Sequence, residues 1–334
     1  MNNFKLLLFT LSLALTIVFI QYKKELFVLF EEPQGNFTTQ VTGDVFPKTL
    51  TDVTGITYQL IRPPQRIISA TLVSDHILAD LIDPHRLVGV SRYIDYPSLS
   101  NIVGFYDESI YRTQSEIESM LALQPDLVFV ASYSDPETVR YLLRSGIAIV
   151  RLSEFKSFND IFNNINIVAA VTDTQVKAEI VIQRVKKQLK DIQQQVKNQP
   201  KPRVLYYDIN GYSAGGDSLM NEAIELSGGI NVAKNVLANG EQKISAELAI
   251  SLQPDVIIVT QWVFNQDKKG DSAAQILMAK KSWKNVPAIK NNRVYALPSK
   301  WLRSVSQHRI KGVQALATLL HPNIPIHQES KNVQ

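Results

Sequence analysis

The stretch "LALQPDLVFVAS" at residues 121–132 returns almost unchanged as "ISLQPDVIIVTQ" at residues 250–261. Each copy joins the end of a helical pattern to an apolar run of strand length. Pro125 and Pro254 mark the joints, because a proline has no N–H to continue a helix and biases the preceding residue away from the helical region. A glutamate stands six positions before the Gln in both copies, Glu118 and Glu247. One helix–strand unit written twice implies two similar α/β lobes.

The flanking patterns fit that reading. "RIISA" (66–70) and "LVGVS" (87–91) read as buried strands around a short helix "SDHILADL" (74–81) capped by Ser74. "SEIESMLAL" (115–123) reads as a helix opened by a Ser115–Glu118 capping box. "GIAIVRL" (146–152) adds a strand and "SFNDIFNNINIVAAV" (157–171) a helix, and continuous apolar strands between helices argue a parallel sheet covered on both faces. From Asp173 to about Lys197 there is neither Gly nor Pro, and Ala178, Ile182, Val185, Leu189, Ile192 and Val196 recur at steps of three and four. That is one amphipathic helix of about 37 Å, long enough to bridge two domains.

"NQPKPR" (198–203) stops the helix and a second series begins: "RVLYYDI" (203–209), "SLMNEAIELSGG" (218–229), "SAELAISL" (245–252), "DVIIVTQ" (255–261), "RVYALP" (293–298) and a closing helix from about Ser304 to Leu320. Gly228 and Gly229 read as a helix C-cap that needs positive φ. The fold class is therefore α/β, with two Rossmann-like lobes on central parallel sheets joined by one long interdomain helix. The divisions are an N-terminal lobe at 64–172, the connecting helix at 173–200, a C-terminal lobe at 201–325 and a tail at 326–334.

Ahead of the lobes, Lys5 precedes an apolar run from Leu6 to Ile20 that ends in Lys23 and Lys24. Residues 1–24 have the pattern of a signal peptide or an N-terminal membrane anchor, and either one exports the chain to the periplasm or the extracytoplasmic face of the membrane. Residues 25–63 carry no helical period and read as a linker or a strand-bearing arm.

Composition narrows the function. With 334 residues and 45% apolar content, two medium domains can each bury a core. The 35 basic and 31 acidic residues are spread along the chain without a basic block, which argues against nucleic acid. The chain contains no cysteine, which removes disulfides, thiolate metal sites, a Cys nucleophile and a lipid-attachment cysteine. "AGGDS" (214–218) lacks the spacing and lysine of a phosphate loop, no serine stands in a G-x-S-x-G turn, and no histidines pair as H-x-x-x-H.

Ligands of parallel sheets bind beyond the carboxyl ends of the strands. The loops there supply Arg92, Tyr93, Tyr96, Tyr106 and Tyr133 in the first lobe, and Tyr212, Trp262, Trp301 and Arg303 in the second. Rings converging from two lobes suit a bulky, partly apolar ligand, and the arginines suit its carboxylates. Glu118 and Glu247 complement helix dipoles, and as a matched pair they also suit a partner with two basic sockets. His76, beside Asp75, reads first as part of a capped turn.

"RIISATLVSDHILADLIDPHRLVGVSRYIDYP", "VGFYDESIYRTQSEIESMLALQPDLVFVAS", "SGGINVAKN", "SAELAISLQPDVIIV" and "WKNVPAIKNNRVYALP" before a helix ending "LLHP" resemble, in this order, the iron-chelate and cobalamin class of ABC-transporter substrate-binding proteins. The resemblance covers roughly residues 64–322. It implies a monomeric receptor, not an enzyme, with no cofactor and no resident metal. Its cleft would hold a ferric siderophore, haem or cobalamin, and Glu118 and Glu247 would dock on arginines of a permease dimer that works with an ATPase. "SRYIDYP" is similar to the cobalamin-binding members, with Tyr93, Tyr106 and Tyr133 lining the cleft; Asn239-Gly240-Glu241 stands where those members carry an aromatic. Arg92, Arg303, Trp262 and Trp301 would suit siderophores, and haem would need an axial ligand such as Tyr93 or His76. An enzyme or metal-handling protein on the same scaffold, or an anchored sensor module, is the alternative.

Overall fold

The computed structural model describes residues 39–325, apart from 53–54, 115–116, 209, 238–239 and 262–272. The leader-or-anchor segment at 1–24, the tail at 326–334, Ser115 of the expected capping box and Trp262 lie outside the described residues. Among the described residues no helix is long and apolar enough to cross a membrane.

The arm forms three antiparallel strands, β1 (Gln40–Thr42), β2 (Lys48–Thr51) and β3 (Thr57–Leu60). It is clasped onto the first lobe rather than strung out as a tether. Leu50 is buried in the main core, the Thr39 hydroxyl donates to the Arg151 carbonyl at 2.9 Å, and the buried Lys48 ammonium donates to the Ala170 carbonyl at 2.9 Å. Ala170 lies in the last turn of a helix, where carbonyls lack partners and a cation is favoured.

The N-terminal lobe runs β4 (Ile67–Ser69), α1 (Leu72–Leu81), β5 (Leu87–Ser91), β6 (Tyr111–Thr113), α2 (Ile117–Ala122), β7 (Leu127–Ala131), α3 (Pro136–Arg144), β8 (Ala148–Leu152) and α4 (Phe158–Thr172). Its parallel sheet has the order β6-β5-β4-β7-β8. Next come α5 (Gln175–Val196), β9 (Arg203–Tyr206), β10 (Tyr212–Ala214), α6 (Leu219–Leu226), β11 (Ile230–Asn231), β12 (Glu241–Lys243), α7 (Ala246–Ser251), β13 (Val256–Gln261), α8 (Ala273–Met278), α9 (Pro287–Lys290), β14 (Val294–Pro298), α10 (Ser299–Leu302) and α11 (Ile310–Leu320). The second parallel sheet has the order β11-β9-β13-β14, and β10 pairs antiparallel with β12 beside it.

The duplicated strands thus sit inside two separate sheets, β7 in one and β13 in the other. β7 is apolar throughout and β13 over its first four residues, because both of their faces are covered there. Phe129 and Ile258 point to one shared core with α5, while Val128, Val130, Ile257 and Val259 point to outer layers under the short helices. Along α5 every periodic position expected from the sequence is buried, and the same core takes Ile67 and Val150 from one lobe and Val204 and Leu316 from the other. Burial of this stripe makes α5 a rigid spine between the lobes.

Three boundaries differ from expectation. The first helix starts at Leu72 with Thr71 before it, so Ser74 lies inside it and returns its hydroxyl to the Thr71 carbonyl at 2.9 Å. The spine starts at Gln175, because Asp173 takes φ 63° and ends α4 first. The closing helix begins at Ile310 after a 3-10 turn at Gln307–Arg309. The glycine cap holds at Gly228 but not at Gly229, whose φ is not positive: Gly228 has φ 80°, and a Cβ there would meet His321 Nε2 at 2.6 Å and Val196 Cβ at 3.0 Å. Gly228→Ala is expected to cost about 1–3 kcal/mol, read as a lowered midpoint in urea; an unchanged midpoint would show that the turn tolerates a side chain.

Candidate functional site

The carboxyl ends of β4, β5 and β7 open onto a recess of about 420 Å³ in the N-terminal lobe, lined among others by Thr71, Arg92, Tyr93, Tyr133 and Asp135. Ser91 accepts the Tyr93 N–H at 3.2 Å, which starts a 3-10 turn at the strand end. The Arg92 guanidinium lies over the Tyr93 ring at 5.1 Å, and Tyr96 packs beside that ring at 5.9 Å. Tyr93 and Tyr133 are 44% and 59% exposed, so both rings are offered to a ligand. The Tyr133 pKa is raised, chiefly by burial of its hydroxyl and then by Asp75, with the Thr71 hydroxyl acting in the opposite sense.

Beneath this recess lies a polar floor that the sequence does not mark. Thr71 and Ser69 each meet the Ser74 hydroxyl, at 2.9 and 2.7 Å. Asp75 is fully buried and accepts the Ser91 N–H at 3.2 Å; burial pushes its carboxyl well above the usual carboxylate range. Tyr106 corrects an expectation here. It is 3% exposed, and its hydroxyl donates to the Asp75 carbonyl at 2.7 Å, so it braces the floor from below instead of lining the cleft.

A second recess of about 510 Å³ lies between the lobes, lined by Phe155 and Lys156 from the first and by Asp217, Glu241, Arg303 and Arg309 from the second. Of the second-lobe residues expected to meet a ligand, Arg303 is the one that lines this recess among the described residues. Lys156 and Asp217 form an ion pair across it at 3.2 Å. Arg309 is 2% exposed and donates to the Leu219 carbonyl at 3.1 Å; burial, partly offset by Glu241, pushes its pKa down to about 10. Lys156, Asp217 and Arg309 carry no motif; the places of Lys156 after β8 and Asp217 after β10 could have singled those two out, while Arg309 lies in a 3-10 turn beyond α10. Tyr212 is exposed at the start of β10 and Trp301 is half-buried in α10, and neither borders either recess.

His76 is excluded as an axial ligand in this arrangement, because it is 2% exposed and both ring nitrogens are used. Nδ1 donates to the Ser306 hydroxyl at 3.1 Å, since Nε2 accepts the Asn101 N–H at 3.2 Å. Gln307 donates to the His76 carbonyl at 2.6 Å and to Asp80 at 2.9 Å, Asn101 donates to the Lys300 carbonyl at 2.7 Å, and the His308 ring packs edge-on at 4.9 Å. These contacts form a polar seam between the lobes beside the spine. Burial lowers the His76 pKa to about 3 and moves His308 in the same direction. Behind the cleft, Glu222 of the second lobe accepts the Phe158 N–H at 2.6 Å.

Glu118 and Glu247 are exposed in the first turns of α2 and α7, one on each lobe. The Glu247 carboxyl is held below its ordinary range by its own backbone N–H and the Ser245 hydroxyl. Among the described residues no group of three or more His, Asp or Glu side chains is placed to hold a metal.

Comparisons with known proteins bear on the family and the fold. An uncharacterised ABC transporter substrate-binding lipoprotein of Bacillus subtilis is 24% identical over 291 residues, covering 84% of this chain and 87% of that protein. The vitamin B12-binding protein of Vibrio parahaemolyticus is 26% identical over 256 residues, covering 75% of this chain and 87% of its own. The structure of a periplasmic haem-binding protein from Roseiflexus sp. RS-1 in apo form superposes with a TM-score of 0.64 at 22% identity, covering 78% of this chain and 98% of that one. All three are named as binding proteins, the first of them as a part of an ABC transporter. The model of the periplasmic binding protein family matches residues 67–301, which hold both copies of the repeat, the spine between them and the whole lining of the first-lobe recess, and the chain belongs to that family.

Proposed function

We propose that the protein is the extracytoplasmic solute receptor of an ABC importer, that its two recesses are halves of one cleft, and that it carries a bulky metal chelate, a ferric siderophore, haem or a corrinoid, to a permease dimer with its ATPase. The observation that carries this reading is the gathering of Arg92, Tyr93 and Tyr133 at the strand ends of one lobe and Arg303 at those of the other. Aromatic faces hold a large apolar body and guanidiniums take its peripheral carboxylates or amides, which is recognition without reaction. The names of the B12-binding and haem-binding relatives point to the same class of ligand. For haem, Tyr93 is the candidate axial ligand left once His76 is sealed in the seam.

The test is equilibrium titration with cyanocobinamide, haemin and a ferric hydroxamate siderophore, followed by tryptophan fluorescence. One of the three is expected to bind saturably with one site per chain. Tyr93→Ala and Arg303→Ala should each weaken it by about tenfold, roughly 1.4 kcal/mol. No binding by any of them, or binding indifferent to both changes, would contradict the proposal.

A further inference from the structure

Two exposed carboxylates can meet two fixed cations only if their helices hold a set direction. Packing supplies little of it. α2 and α7 have six residues each and fully bury one side chain apiece, Met120 and Ala249.

At the far end of both helices stands the same hydrogen-bonded joint. In the first lobe Arg66, just ahead of β4, donates Nε to the Gln124 carbonyl at 3.0 Å and Nη2 to the Leu123 carbonyl. The Asp126 carboxylate accepts the backbone N–H groups of Gln65 and Arg66 at 2.7 and 2.9 Å, and its own N–H donates to the Arg66 carbonyl at 3.0 Å. In the second lobe Arg203, the first residue of β9, donates Nη2 to the Leu252 carbonyl at 2.8 Å. The Asp255 carboxylate accepts the Arg203 N–H at 2.9 Å, and its N–H donates to the Arg203 carbonyl at 2.8 Å. Gln124 and Gln253 both take left-handed φ, 49° and 44°, an uncommon conformation for a residue with a side chain. The turn is therefore held by its surroundings, in duplicate.

We infer that Arg66 and Arg203 are positioning residues for docking: each guanidinium clamps the carbonyl end of a glutamate-bearing helix to the first strand of its lobe and sets where Glu118 or Glu247 points. The chemistry suits the task. Carbonyls of a last helical turn lack partners and gather negative potential; the planar guanidinium of Arg66 satisfies two at once, and that of Arg203 takes one. Asp126 and Asp255 hold the main chain of the same arginines, so helix, strand and side chain close into one ring of contacts. Each helix is then a lever of about 9 Å hinged at the arginine, and a tilt of roughly 10° would carry its glutamate by about 1.5 Å, enough to undo a charge-assisted hydrogen bond.

The inference rests on the docking reading of the two glutamates, and the experiment separates the two. The chain has no cysteine, so nitroxides at Glu118→Cys and Glu247→Cys in the purified full-length chain report the distance between the carboxylate positions. One narrow distance distribution is expected, broadening at least twofold with R66M/R203M; an unchanged width overturns the inference. Arg66 and Arg203 are exposed, so these variants should fold, and R66K/R203K, which keeps the charge but not the fork, should broaden the distribution less. In parallel, R66M/R203M without labels should lower the apparent affinity for the cognate permease–ATPase in nanodiscs by about tenfold, with ligand affinity kept within twofold. If Glu118→Ala with Glu247→Ala stimulates the ATPase as the wild type does, the docking reading falls, and the label widths still decide whether the arginines orient the helices.

Discussion

Changing Glu118 and Glu247 together to alanine is expected to abolish stimulation of the permease–ATPase while ligand affinity stays within twofold of wild type. Both carboxylates are exposed, and neither lines a recess. Removing them therefore leaves the cleft chemistry intact. On the docking side, truncating one member of a charge pair that becomes buried in an interface costs about 2–5 kcal/mol, because the partner's charge is left unpaired. Two such losses correspond to a weakening of at least about a thousandfold. Glu118→Gln with Glu247→Gln keeps the shape and should lose nearly as much, since the pairing is by charge. The paired measurement is ATPase rate against receptor concentration and ligand affinity by fluorescence. Loss of ligand binding in the double variant would move these residues from docking to the cleft.

The second large effect is on stability in acid. Between pH 7 and pH 5 the wild type is expected to lose about 2 kcal/mol relative to His76→Asn. The unfolded chain binds a proton at His76 as the pH falls below 6.5, whereas burial in the seam lowers the folded pKa to about 3. Stability from the neutral imidazole is thus complete above pH 6.5 and is lost as the pH falls, at about 1.4 kcal/mol per unit. Protonation would also set an Nε2–H against the Asn101 N–H and add charge beside Lys311. His308, also depressed, steepens the fall of both proteins. Asp75 and Glu222 act in the opposite sense, because their carboxyls are raised in the folded state and favour it as the pH drops. Asp75 and Glu222 are common to both proteins and cancel in the difference, which reports His76 together with the part of the His308 shift that His76 itself causes. Urea titrations of the two at pH 7, 6 and 5 check it; midpoints that fall in parallel would mean that His76 is not held neutral.

How far the sequence could be read depended on whether a residue's role is set by neighbours in the chain or by groups brought in from elsewhere. β7 and β13 were legible because burial on both faces writes an unbroken apolar run, and α5 because one buried stripe writes its period. Gly228 was legible because a left-handed turn after a helix admits few other residues. Tyr106 and Tyr133 look alike in the chain, each following a strand or loop near the cleft. Only folding decides that one hydroxyl finds the Asp75 carbonyl while the other ring stays exposed. His76 bonds Ser306 from the opposite lobe, and no local pattern could announce that. The joint at Gln124 was readable as a boundary from Pro125, but its arginine sits at the start of a different strand. Its role appears only when β4 and β7 lie side by side.

A ligand-bound crystal structure of the protein, with whichever of the three chelates binds, tests the central claim most directly. The bound molecule should lie between the lobes, with its body against Tyr93 and Tyr133 and a polar group within hydrogen-bond reach of Arg303. A ligand seated on one lobe alone, or on the outer face of α5, would contradict the two-lobed receptor described above.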